Sequence, residues 1–121
     1  MTKYNLPTDV WQQCLWIVRG YERCREEYER QGRELDNDLV PFRQMRAVDH
    51  ALDLAVDDLP LGQRKAIRDV LMQFCQDGRD FNFDMLDKLR ISKKAFCLRR
   101  QHCLYEIAAE LGLVIAESER K

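Results

Sequence analysis

A cluster of basic side chains lies between residues 88 and 100 of this 121-residue chain. No acidic residue lies among its six cations, which are Lys88, Arg90, Lys93, Lys94, Arg99 and Arg100. Lysine and arginine concentrated in this way neutralise phosphate groups, so nucleic acid is the partner that this chemistry favours. By contrast, residues 1–60 hold 12 acidic and 8 basic residues. We therefore expect an electrically asymmetric molecule whose positive end carries the cluster.

The cations fall within the sequence order of a helix-turn-helix. Asn82 is predicted to cap a short helix over residues 83–89, and Ser92 to cap a long helix over residues 92–111. In this motif the second helix lies in the major groove of DNA and the first crosses the backbone. At 100° per residue, Lys94, Leu98 and Gln101 point away from the apolar sector of the long helix.

These positions define a predicted DNA-binding site. It comprises Lys88, Arg90, Lys93, Lys94, Leu98, Arg99, Arg100 and Gln101. Gln101 offers an amide pair suited to adenine, and Arg99 is expected to reach a phosphate. Arg100 falls inside the apolar sector, so we expect its stem to pack there while its guanidinium turns outward.

Several motifs resemble the fourth conserved region of bacterial sigma factors. A Leu-Pro-x-x-Gln-Arg pattern lies within residues 58–67 and leads to the helix-turn-helix order of residues 86–96 and 104–111. The segments Leu6-Pro-x-x-Val-Trp11 and Ile17-Val-Arg-x-Tyr21 are similar to small phage-encoded proteins of the ArpU and RinA types, a group of sigma-like late regulators. The resemblance implies a sequence-specific DNA-binding transcriptional regulator of phage or prophage origin.

Two features depart from the sigma-like pattern. Arg90 stands where such proteins usually have glycine, so we expect the turn to adopt a conformation that accommodates a side chain. Cys97 and Leu98 stand where polar base readers are usual. Either change is compatible with an altered sequence preference or with DNA binding replaced by protein binding.

Helical periodicity runs through the rest of the chain and predicts an all-α fold with about five helices. We expect one domain over residues 1–121: an N-terminal helical pair (1–58), the sigma-like module (59–113) and a polar tail (114–121). The first helix is predicted to run for six turns from an N-cap at Thr8 to near Arg30. The second is predicted to end at Leu59-Pro60, and the third at Gly78.

A protein-binding role is the alternative hypothesis. Here the chain is a phage-encoded inhibitor or adaptor that contacts RNA polymerase or a host defence complex such as a CRISPR nuclease. Trp16 is five positions from Trp11 and cannot share its buried stripe, so it is a candidate contact. Asp49, Asp53 and Asp57 recur every four residues and form an acidic face for a basic partner.

Other classes of function find little support. Cys97, His102 and Cys103 diverge around a helix and cannot converge on one metal ion, and neither His50 nor His102 belongs to a catalytic motif. We expect no enzyme activity, metal or cofactor. With no long apolar run and no leader, the protein is expected in the bacterial cytoplasm, with its five cysteines reduced. A homodimer is expected because a single half-site is a small target.

Overall fold

The computed structural model describes residues 5–30 and 40–114. These residues form six α-helices and two single 3₁₀ turns, Gly78–Asp80 and Phe83–Met85, and contain no β-strand. The helices are α1 Thr8–Arg19, α2 Tyr21–Arg30, α3 Val40–Ala55, α4 Leu61–Asp77, α5 Leu86–Leu89 and α6 Lys93–Glu110. The predicted all-α fold of about five helices is confirmed. The predicted polar tail over residues 114–121 lies outside the described residues, except for Val114.

The single six-turn helix predicted at the N-terminus is wrong, because two helices occupy this stretch. Gly20 separates α1 from α2, with φ −84° and ψ −2°. Glycine has a weak helix propensity because it loses more backbone entropy than any other residue. The predicted cap at Thr8 is also wrong: Pro7 occupies the N-cap position, and no side chain caps the helix.

The predicted C-terminal ends of the next two helices agree with the structure to different degrees. α3 ends at Ala55, before the predicted stop at Leu59-Pro60. The connecting turn is held by Arg64, whose guanidinium donates to the carbonyl oxygens of Asp57 (2.8 Å) and Leu59 (2.7 Å). α4 ends where predicted, because Gly78 adopts a φ of +58° and its N–H bonds to the carbonyl of Phe74.

One hydrophobic core draws on α1, α3, α4 and α6, and α3 packs along much of α6. Its fully buried side chains include Cys14, Val18, Val48, Leu52, Leu71, Cys75, Phe96, Cys103, Leu104 and Ile107. Three of these are the cysteines 14, 75 and 103, which therefore act as small apolar side chains, whereas Cys24 and Cys97 are only partly buried. Burial raises the pKa of the Cys14 thiol to about 12. The pKa of Cys103 is raised as well, by its contact with Cys75 and by burial.

Four phenylalanines connect this core to the helix-turn-helix segment. Phe74 of α4 and Phe96 of α6 stack with ring centroids 5.1 Å apart, and Phe81 lies 4.8 Å from Phe74. Phe83 meets Phe74 and Phe81 edge-on at 5.2 and 5.1 Å. Aromatic pairs at these separations contribute favourable energy beyond simple burial. The cluster therefore fixes the segment before α5, and with it the start of α6.

Candidate nucleic-acid interface

A three-residue turn joins α5 to α6, and side-chain caps are present at the start of α6 and of the 3₁₀ turn that precedes α5. Ser92 Oγ accepts a hydrogen bond from the backbone N–H of Ala95 (3.1 Å) at the start of α6. Asn82 Oδ1 accepts from the N–H of Asp84 (2.9 Å), ahead of α5. The Ser92 cap is confirmed. Asn82 is confirmed as a capping residue, but it caps the 3₁₀ turn Phe83–Met85 and not the helix predicted over residues 83–89, because the α-helix begins only at Leu86.

Arg90 begins this turn in the left-handed conformation, with φ 57° and ψ 41°. Its N–H bonds to the carbonyl of Asp87, and the N–H of Ile91 bonds to the carbonyl of Leu86. This pair of bonds is a Schellman motif, in which the left-handed position usually belongs to glycine. We expected a conformation that accommodates a side chain; the turn instead keeps the left-handed geometry usual for glycine, and an arginine occupies it.

Four cations surround this turn at the protein surface. Lys88, Arg90, Lys93 and Lys94 are exposed, and none of them forms an ion pair within the described residues. The ammonium of Lys93 lies 4.5 Å from the centre of the Phe83 ring. This cation–π contact orients Lys93 while leaving its charge at the surface. The positive charge of these residues is thus available to an external anion.

The first half of α6 has an accessible face that carries cations. Lys94 and Leu98 are exposed and Gln101 is half-buried, whereas Cys103, Leu104, Tyr105 and Ala108 are buried. The accessible stretch from Lys93 to Gln101 spans about 12 Å at about 1.5 Å per residue. This length is similar to the width of the major groove of B-DNA, which is about 12 Å. The predicted readers Lys93, Lys94, Leu98 and Gln101 therefore lie together on one accessible stretch.

Arg99 is not part of this surface, because its guanidinium is engaged elsewhere. Nη1 donates to the carbonyl of Ala55 (2.8 Å) and to Asp58 Oδ1 (2.7 Å), while Nη2 donates to Asp58 Oδ2 (3.0 Å). The hydrogen bond from Arg99 lowers the pKa of the Asp58 carboxyl. Arg99 thus joins α6 to the end of α3 instead of reaching outward.

Arg100 also turns inward, which contradicts the expectation that its guanidinium faces solvent. The guanidinium carbon lies 3.9 Å from the Phe74 ring centre and 5.0 Å from that of Trp11. Burial lowers the pKa of Arg100. Its Nε has no hydrogen-bond partner among the described residues. Contact with two aromatic faces is an effective way to stabilise a partly desolvated guanidinium, so Arg100 joins α6 to α1 and α4.

Two shallow grooves flank the cations and contain residues that the sequence did not single out. One, of about 310 Å³, is lined by Gly62, Gln63, Ala66, Ile67, Lys88, Leu89 and Arg90. The other, of about 360 Å³, is lined by Trp11, Lys94, Cys97, Leu98, Arg100 and Gln101. Trp11 thus lies beside Lys94, Leu98 and Gln101, and Gln63 lies beside Lys88 and Arg90. The sequence indicated both residues only as members of the sigma-like motifs, and Trp11 also as part of a buried stripe.

The predicted acidic face is largely engaged within the protein. Arg68 of α4 donates to Asp49 Oδ1 and to Asp53 Oδ1, each at 2.8 Å, and the hydroxyl of Tyr21 donates to the same Asp49 oxygen at 2.6 Å. Burial and this hydrogen bond raise the pKa of Tyr21 to about 12. Asp57 remains exposed. Two of the three predicted partner-binding carboxylates therefore stabilise the packing of α3 on α4.

Trp16, the remaining candidate for protein contact, is accessible. Its side chain is 68% exposed, and the Arg19 guanidinium lies 5.5 Å from its ring centre. Trp16 is not among the residues that line either groove beside the cations. A protein-binding surface on α1 would thus be separate from the cationic turn.

The two histidines pair with neighbouring carboxylates. His50 Nδ1 lies 3.4 Å from Glu110 Oε1, and His102 Nε2 lies 3.3 Å from Glu106 Oε1. No group of side chains within residues 5–30 and 40–114 is arranged to hold a metal ion. None of the described helices is both long and apolar enough to cross a membrane.

Comparison of the chain with protein-family models, curated proteins and solved structures finds no match.

Proposed function

We propose that this protein binds duplex DNA through its helix-turn-helix and regulates transcription, as a sigma-region-four-like regulator of phage or prophage origin. The observation that carries the proposal is the ring of four exposed cations, Lys88, Arg90, Lys93 and Lys94, around a turn that opens a capped helix. Phosphate contacts from such residues place a helix on the duplex, and base contacts then give specificity.

The residues of the predicted site fall into two groups that differ in their contacts within the protein. Lys88, Arg90, Lys93 and Lys94 have surface charges free to contact phosphates, and Leu98 and Gln101 lie on the same accessible stretch of α6. Arg99 and Arg100 instead stabilise the helix packing. The proposed interface therefore comprises the first six residues and leaves out the two arginines.

Salt-dependent binding tests the proposal directly. A pool of random-sequence duplexes is titrated with the protein at two salt concentrations, and bound fragments are then selected and sequenced. Each phosphate contact contributes about −0.9 to the slope of log K against log salt. For the four cations we expect a slope between about −3 and −4, with enrichment of a common sequence among the bound fragments.

A charge-reversal pair identifies the surface that is responsible. The double variant Lys93→Glu with Lys94→Glu is expected to weaken binding by at least tenfold and to make the slope shallower by about 2. The matched control is Arg23→Glu with Arg43→Glu, which changes net charge equally at exposed positions on α2 and α3. Equal DNA retention by both double variants would show that α6 does not contact DNA.

Trp16 supports a second candidate function, binding to a protein such as RNA polymerase or a host defence complex. A tryptophan that is 68% exposed is unusual outside an interface, because this side chain is enriched among binding hot spots. Purified bacterial RNA polymerase is titrated with the wild type and with Trp16→Ala. A loss of at least tenfold in affinity supports the candidate, and equal affinity or no binding by either protein contradicts polymerase contact through Trp16.

A further inference from the structure

Leu98 is an apolar side chain in the middle of the accessible stretch of α6. It is 41% exposed, and it lies one turn after Lys94 and three residues before Gln101. Residues at these spacings share one face of a helix. Leu98 is not part of the buried core, to which α6 contributes Phe96, Cys103, Leu104, Ile107 and Ala108. Packing within the protein therefore does not account for a leucine at this position.

The surroundings of Leu98 suit contact with a small apolar group. The groove of about 360 Å³ is lined by the apolar residues Trp11, Cys97 and Leu98 together with the polar residues Lys94, Arg100 and Gln101. Apolar surface on one side and a cation on the other matches the edge of a base pair next to a phosphate. In the major groove the apolar group that a protein meets is the C5-methyl of thymine.

We propose that Leu98 reads a thymine methyl group, so that a thymine at the base pair facing Leu98 is a specificity determinant of the target. The inference rests on the proposed DNA-binding function and deepens it. Gln101, on the same face, carries an amide suited to adenine at a neighbouring pair. The recognised base pairs are then rich in A·T, and the thymine is recognised by apolar contact with its methyl group and not by a hydrogen bond.

Uracil substitution tests the contact without altering the protein. The tightest duplex from the selection is resynthesised with uracil in place of each thymine in turn, which removes one methyl group and leaves base pairing intact. The wild type is expected to lose about fourfold in affinity at one position, the effect of burying one methyl group. Leu98→Ala is expected to bind the thymine and uracil duplexes equally at that position.

Trp16→Ala is the matched control, because it removes an exposed apolar side chain that does not line the groove. It should keep the wild-type preference for thymine. If the wild type binds every uracil duplex as tightly as the thymine duplex, while Lys93→Glu with Lys94→Glu still abolishes binding, the methyl contact is overturned and DNA binding stands. The methyl contact is also overturned if Leu98→Ala keeps the preference. If no duplex is retained at low salt, both the contact and the proposed function fail.

Discussion

Arg90 has to satisfy two requirements that conflict. Its charge belongs to the cationic turn, but its backbone, at φ 57° and ψ 41°, is in a conformation that costs a residue with a Cβ about 1–2 kcal/mol. Among the described residues it is the only non-glycine with a positive φ. Backbone strain that persists at one position is often associated with function. Here an arginine keeps its positive charge at the surface of the turn, although its backbone conformation lowers the stability of the fold.

Replacing Arg90 with glycine is therefore expected to stabilise the fold. Glycine removes the left-handed strain but gives the unfolded chain more entropy, so the net gain in the free energy of unfolding is up to about 1 kcal/mol. Urea unfolding measures the change. Arg90→Ala removes the same charge but keeps a Cβ, and its stability should stay within about 0.5 kcal/mol of the wild type. Equal stability of the two variants would contradict the strain argument.

Individual side chains also show how far the sequence could predict the site. Asn82 and Ser92 were predictable because a cap bonds to backbone only two or three residues away. The inward turn of Arg99 was not, because its partner Asp58 lies 41 positions earlier in the chain. Arg100 likewise meets Trp11, from the other end of the sequence. Local patterns indicated these two caps and the helix faces, although not the start of α1, whereas the pairing of charges depends on which helices meet.

The same contrast appears among the helices. Glycine ends were predictable for α4 and α6, where Gly78 and Gly112 adopt positive φ values of 58° and 76°. The break at Gly20 was missed because its φ of −84° is ordinary and the apolar periodicity of Trp11, Val18 and Tyr21 continues across it. A glycine within a continuous periodic pattern does not show whether the helix continues through it. Its unfavourable helix propensity is only about 1 kcal/mol relative to alanine, and tertiary packing outweighs a difference of this size.

The junction between α1 and α2 offers a stabilising substitution. A Cβ at Gly20 would meet its nearest heavy atom at 3.5 Å, the end of the flexible Arg23 side chain. Gly20→Ala is therefore expected to raise the free energy of unfolding by about 0.5–1 kcal/mol, because alanine restricts the unfolded chain and favours helix. Urea unfolding provides the measurement. Gly78→Ala serves as the contrast and should destabilise by at least about 1 kcal/mol, since its φ of +58° strains any Cβ. A loss of stability in Gly20→Ala would show that the break needs glycine.

Across the molecule, the exposed cations around the turn and the buried thiols lie in different places. The four unpaired cations surround the start of α6, while Cys14, Cys75 and Cys103 lie in the core where α1, α4 and α6 meet. The charge asymmetry was visible in the sequence as a count of acidic and basic residues. The clustering of the three thiols was not, because they are dispersed along the chain and only the packing of three helices brings them together.

The Cys14 thiol and the Tyr21 hydroxyl are expected to make the stability of the fold decrease at alkaline pH. The pKa of Cys14 is raised from 9.0 to about 12 and that of Tyr21 from 10.0 to about 12, so both groups lose protons more readily in the unfolded chain. A raised pKa contributes stability that is complete below the unfolded value and declines as pH rises towards the folded value. Under reducing conditions we expect the free energy of unfolding to hold steady up to pH 9 and to fall between pH 9 and 12. The loss should be at most roughly 1.4 kcal/mol per pH unit for each buried group.

Cysteine variants isolate the thiol contribution to this alkaline loss. Urea unfolding at pH 7, 9, 10 and 11 is compared for the wild type, Cys14→Ala and the control Cys97→Ala, whose thiol is only partly buried. Cys14→Ala creates a small cavity and starts from a lower stability, so the slope above pH 9 is the quantity compared. That slope should be shallower in Cys14→Ala and unchanged in Cys97→Ala. Parallel slopes in all three proteins would mean that alkaline unfolding depends on groups other than the Cys14 thiol.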